Sequence, residues 1–112
     1  MYLQKYLHYV KMFITGSQNF NWDKGNANKN KKHGIKRSEI EKFFKSRVYV
    51  SDDLKHSNAE ERFIAIGKGS NEKYMIVIFT LRKGAIRPIS ARYMNKREIE
   101  KYEKEIAKVK NW

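Results

Sequence analysis

Apolar positions first recur at helical spacing. Leu3, Tyr6, Leu7, Val10, Phe13 and Ile14 predict a short amphipathic helix over residues 1–14. Residues 19–23 (Asn-Phe-Asn-Trp-Asp) alternate polar and apolar, as a short strand does, with Phe20 and Trp22 inward. The next ten residues are almost wholly polar. They predict a helix over 24–33, begun by Asp23, stopped by Gly34 and dependent on tertiary support. Ser38 with Glu41 three residues on reads as a capping box, and Ile40, Phe43 and Phe44 as the buried face of the helix it opens. Residues 47–57 read as a strand end and loop, with Val48 and Val50 inward and Asp52, Asp53 and His56 exposed.

Three strands follow. Residues 60–67 form one, and the turn chemistry of Gly69, Ser70 and Asn71 leads to residues 74–80, apolar at nearly every position as a strand buried on both faces would be. Arg82-Lys83-Gly84 turns the chain into a third strand over 86–92, and the tight connections imply an antiparallel meander. Pro88 cannot donate to a ladder, so it marks an edge position or a bulge. Asn95 and Glu98 make a capping box for a last helix with Ile99, Tyr102, Ile106 and Val109 on one stripe. The pattern predicts an α+β fold: a small antiparallel sheet, made of a short N-terminal strand and a three-strand meander, with helices on one side. A chain of 112 residues is one domain, 1–112, in which 1–18 read as an N-terminal extension and 19–110 as the domain proper. Met12 is a second candidate start.

Charge changes the picture most. Twenty-five Lys and Arg against twelve Asp and Glu give a net charge of +13, far beyond the roughly 2–8 charges that solubility needs. The field of such a surface attracts polyanions, so nucleic acid or an acidic protein partner is expected. There is no cysteine, hence no disulfide and no thiolate metal site. His8, His33 and His56 lack ligand spacing, so neither a metal nor a cofactor is expected. No apolar run reaches the roughly 20 residues of a membrane span, and a cytoplasmic location is the default.

Candidate chemistry centres on arginine. Arg62, Arg82, Arg87 and Arg92 fall on or beside adjacent strands, and guanidinium binds phosphate bidentately. No Ser/His/Asp nucleophile signature is present, and the neighbouring pairs Asp52-Asp53 and Glu60-Glu61 would point to opposite sides of a strand. Cutting RNA without a metal needs a base for the 2′-hydroxyl, charge stabilisation at phosphorus and an acid for the leaving oxygen. His33, Glu61 or Tyr102 can move protons, while the arginines stabilise charge. His33 also suits a helix C-terminus, and each arginine has a plain alternative as a surface ion pair. Arg87 and Arg92 have opposite parity, so one face can carry both only if a bulge or the turn into the helix intervenes.

These residues carry a resemblance. Phe20-Asn21-Trp22-Asp23, Lys32-His33-Gly34, Glu60-Glu61-Arg62-Phe63, Phe79-Thr80-Leu81-Arg82, Arg87 to Arg92 and Tyr102-Glu103 occur in the order and approximate spacing of the BrnT toxin family, from about Phe20 to Glu103. The resemblance implies a RelE-like fold and a ribonuclease toxin of a type II toxin–antitoxin pair. It implies a BrnA-type antitoxin with a ribbon-helix-helix region, through which alone operator DNA would be bound. Under it His33, Arg62, Arg82 and Arg92 are expected to be catalytic, and Lys32, Arg87, Ser90 and Tyr102 to bind RNA. The rival expectations are a non-catalytic nucleic-acid-binding or co-repressor module of the same fold, and an orphan interaction domain.

Overall fold

The structure is a computed structural model that describes residues 10–14, 18–27, 34–53, 60–69 and 71–110. Five strands, β1 (Val10–Ile14), β2 (Val48–Asp52), β3 (Phe63–Lys68), β4 (Tyr74–Arg82) and β5 (Ala85–Tyr93), form one sheet in chain order, every neighbouring pair antiparallel. Among the described residues two helices complete the α+β fold, α1 (Arg37–Phe43) and α2 (Lys96–Lys110).

Each face of the sheet is an alternating set of positions, and each is covered by a different helix. One face presents Val48, Val50, Ala65, Met75, Val77, Phe79 and Ala91 to Ile40, Phe43 and Phe44 at α1. Phe44 sets its ring edge-on to Phe79 at 5.4 Å and to Phe43 at 5.0 Å, a favoured aromatic geometry. The other face presents Tyr49, Ile64, Ile66 and Ile76 to Ile99 and Tyr102 of α2. Each side chain so buried contributes about 1.5–3 kcal/mol, and β4, sandwiched between helices, is correspondingly apolar along its length. The expectation of helices on one side therefore fails. The apolar run of β4 already required cover on both faces, and α1 and α2 supply it.

Local readings needed correction where long-range pairing outweighed local pattern. Val10–Ile14 is a strand, not part of a helix; it pairs with β2, and a place in a ladder outweighs weak helical spacing among β-branched residues. Residues 1–9 lie outside the described residues. The expected strand over 19–23 is a single parallel bridge, Phe20 to Ile86, closed by Ile86 N–H to Asn19 C=O and Asn21 N–H to Ile86 C=O, both 2.8 Å. Of the polar helix expected over 24–33, the described part is a turn over 24–27, in which Asp23 C=O accepts from Asn26 and Ala27 N–H. Helix α1 begins after Lys36, two residues before Ser38. Glu39, not Glu41, bonds back to the first backbone N–H, at 3.3 Å, and Glu41 instead accepts the Trp22 indole N–H at 2.8 Å. Asp53 is buried at 1 % exposure rather than solvated, with its N–H on Arg62 C=O, because β2 runs on as a full strand beside β3.

The Asn95–Glu98 box is as expected: Asn95 Oδ1 accepts Glu98 N–H at 2.9 Å and Glu98 Oε1 accepts Asn95 N–H at 3.0 Å. Pro88 satisfies both of its readings, since β5 is an edge strand and the ladder is irregular beside it.

Candidate active site

That irregularity builds the candidate site. Along β5, Arg87 pairs with Thr80 and Pro88 with Phe79, but Ser90 pairs with Ile78, so Ile89 is the extra residue of a bulge. Proline without an N–H sits comfortably where pairing is interrupted. Directly paired residues share a face. Thr80, Ile78 and Ile76 alternate regularly on β4, so their partners Arg87, Ser90 and Arg92 lie on one face although their numbers predict otherwise. Arg82, two residues beyond Thr80, belongs to that face, as does Arg62, two residues before Ile64. All are on the side that α2 covers; Arg92 stands opposite Ile76, at the end where α2 packs on Tyr49, Tyr74 and Ile76, while Arg62, Arg82 and Arg87 stand toward the other end of the strands.

A loop seals the outer edge of β5. Asn26, buried, donates through Nδ2 to Pro88 C=O and Asn21 C=O, each at 3.0 Å. Gly25 N–H donates to Asp23 Oδ1 at 2.8 Å. These bonds turn residues 19–27 along an edge that would otherwise pair with another chain.

The four arginines have different surroundings. Arg82 is exposed at the end of β4, and Glu60 stands a loose 3.9 Å away. Arg62 is half-buried, on the strand approach where the Thr80 hydroxyl donates to Glu61 C=O at 2.7 Å. Arg87 has a side chain only 11 % exposed. It donates to Asn21 Oδ1 at 2.8 Å and pairs with Asp23 at 3.0 Å, so it ties the sealing loop to β5. Its hydrogen bond holds the Asp23 carboxyl below the usual carboxylate range. Arg92 donates through both terminal nitrogens to the two oxygens of Glu98, each at 2.8 Å. That bond, with the Asn95 N–H, depresses the Glu98 carboxyl against the raising effect of burial.

Ser90 is exposed on the same face. Tyr102 is elsewhere: 6 % exposed, its ring meets Tyr74 at 4.9 Å and Tyr49 at 6.2 Å, and burial pushes its hydroxyl far above the ordinary tyrosine value. Lys32 and His33 lie outside the described residues, as does His56. The structure thus sets Arg62, Arg82, Arg87, Ser90 and Arg92 along one face of the sheet, with Arg92 toward the α2 end and the other arginines toward the opposite end, and places Tyr102 in the core between α2 and the sheet. Two contributors were missed by residue type. Thr80 lies in a run that reads as strand interior, and Asn26 in a polar segment with no pattern. Glu98 was legible as a cap but not as the partner of Arg92.

The face can bind and neutralise phosphate oxygens with guanidinium and hydroxyl donors. Among the described residues no three acidic or histidine side chains converge as a metal site requires, and no helix is long and apolar enough to cross a membrane.

A family model described as a ribonuclease toxin, BrnT, of type II toxin–antitoxin systems matches residues 22–98. The matched span holds Arg62, Arg82, Arg87, Ser90, Arg92 and Glu98, and leaves out β1 and most of α2. No curated protein and no solved structure matches the chain.

Proposed function

The chain belongs to the BrnT family of ribonuclease toxins of type II toxin–antitoxin systems, and from that membership we propose that it is a metal-independent endoribonuclease that inhibits translation. The observation that carries the site is the bulge at Ile89, which sets Arg87, Ser90 and Arg92 on one face with Thr80 and Arg82. The RNA 2′-oxygen attacks the adjacent phosphorus and the bond to the 5′-oxygen breaks, leaving a 2′,3′-cyclic phosphate and a 5′-hydroxyl. A base takes the 2′ proton and an acid returns one to the leaving oxygen. Arg62, Arg82 and Arg92 stabilise the charge that grows on the phosphorane, where fixed cations are most effective. His33 serves as the acid or base. Lys32 and Ser90 hold the RNA, Arg87 fixes the loop that frames the site, and Tyr102 contributes by seating α2.

The +13 charge supports a polyanionic substrate and, equally, an antitoxin that masks it. We assign that partner to the BrnA type, with a ribbon-helix-helix region that alone contacts operator DNA. We place the pair in the cytoplasm and the fold among RelE-like toxins. Expression without the antitoxin should arrest growth, and Arg82→Ala or Arg92→Ala should release it; full toxicity in both variants would sink the site. Purified protein should cut RNA in EDTA. Binding without cleavage, on or off ribosomes, would favour a non-catalytic co-repressor module instead.

A further inference from the structure

The arginine at the α2 end of the face is not alone. Arg92 lies at the end of β5 with its side chain 45 % exposed, while Glu98, its partner, is only 7 % exposed. Both guanidinium nitrogens Nη1 and Nη2 are engaged at 2.8 Å in a fork-to-fork pair, the strongest side-chain geometry available to these groups. Glu98 itself cannot swing. Its Oε1 also accepts the Asn95 N–H at 3.0 Å, and its own N–H is held by Asn95 Oδ1 at 2.9 Å. The guanidinium is therefore mounted, through a buried carboxylate, on the backbone of the first turn of α2.

We propose that Glu98 is a positioning residue for the ribonuclease reaction: it orients Arg92 toward the scissile phosphate. The proposal rests on the ribonuclease reading above. Holding a long, flexible cation in one orientation removes the ordering cost from the chemical step. The paired carboxylate also weakens Arg92 as a ligand for the singly charged ground-state phosphate. What the pair gives the transition state is aim: the phosphorane oxygens that take up charge meet a guanidinium already in position. Interactions stronger in the transition state than in the ground state are the ones that accelerate a reaction.

This gives a signature that a purely structural cap would not. Glu98→Gln keeps an oxygen for the Asn95 N–H but removes the charge and one acceptor facing Arg92. Affinity for an RNA oligonucleotide should rise, because Arg92 is unmasked, while the single-turnover cleavage rate falls at least roughly tenfold, as expected for a misaimed cation. KM and kcat should thus fall together. In an Arg92→Ala background Glu98→Gln should change neither. Glu98→Asp, which keeps the charge on a shorter arm, should lower kcat with RNA affinity unchanged, and it substitutes should the Gln variant not fold. Thermal melts of every variant separate folding from function.

Equal losses with and without Arg92, or an unchanged kcat in both Glu98 variants, would overturn the proposal. If the unmodified chain binds RNA but does not cut it, the ribonuclease reading fails, and the positioning role with it. The binding arm then still reports whether Glu98 masks Arg92. A chain that neither binds nor cuts RNA overturns both.

Discussion

Tyr102→Ala tests whether this residue acts by packing or by contact with RNA. The ring is 6 % exposed and lies edge-on to Tyr74 at 4.9 Å and to Tyr49 at 6.2 Å, between α2 and the sheet. A buried aromatic ring removes roughly 150–250 Å² from water, which at about 25 cal/mol per Å² sets an upper bound near 4–6 kcal/mol. Large-to-small aromatic substitutions in cores cost about 3–5 kcal/mol, in agreement. For a domain of this size each kcal/mol lowers Tm by about 4 °C, so Tyr102→Ala should melt ~12–20 °C below the unmodified chain by far-UV circular dichroism. Tyr102→Phe keeps the ring and should melt within a few degrees. It should also cleave RNA normally, because burial raises the hydroxyl pKa and the phenol stays neutral across the working pH range. Tyr102→Ala melting within about 3 °C of the unmodified chain would refute the packing argument. A Tyr102→Phe variant that melts normally but cannot cut RNA would place the hydroxyl in the chemistry instead.

Other perturbations have equally definite outcomes. Gly67→Ala would set a methyl 2.9 Å from Val48 Cγ1 and 3.3 Å from Phe43 Cε2 and Arg47 C=O, inside the α1 core; overpacking of this kind costs about 1–3 kcal/mol, readable as a lowered urea midpoint. Arg82→Ala removes only a half-exposed 3.9 Å pair, so stability should hold within roughly 0.5 kcal/mol while cleavage falls, and a matching loss of stability would argue against a direct role. Arg92 chiefly depresses the Glu98 carboxyl in the folded state. Its stabilising contribution is therefore present above the ordinary carboxylate pKa and is lost as pH falls through the folded value. Stability of Arg92→Ala should trail that of the unmodified chain at neutral pH and converge with it in acid; a gap that persists unchanged in acid would contradict the pairing.

Legibility in the sequence followed the range of the interaction. Features set by neighbours three or four positions apart were readable: the Asn95–Glu98 box, the turn at Lys83-Gly84, both residues at positive φ, and the two-sided burial of β4 announced by its unbroken apolar run. Features set by distant pairing were not. Val10–Ile14 carries apolar residues that fit a helix as well as a strand, and only the free edge of β2 decides between them. Ser38 and Glu41 form a sound local cap signal, but Trp22 draws Glu41 away across the α1 core face. Asp53 reads as a loop carboxylate because nothing nearby reveals that β2 continues against β3.

The candidate site depends on one place where local and distant information meet. Strand parity, applied to Arg87 and Arg92, separates them onto opposite faces, and the rule is sound for any uninterrupted strand. Pro88 announces that the strand is interrupted without saying how many residues are inserted or where. The number decides everything: one extra residue reunites the arginines, whereas two would part them again. The ladder supplies that number, because Pro88 pairs with Phe79 and Ser90 with Ile78, leaving Ile89 alone between them. Reunion on one face still does not make the arginines equivalent. Asn21 and Asp23 turn Arg87 into a brace for the sealing loop, whereas Glu98 holds Arg92 from beneath and leaves it half-exposed. The bulge therefore selects the face, and the carboxylates next to each guanidinium separate a buried brace from a half-exposed cation.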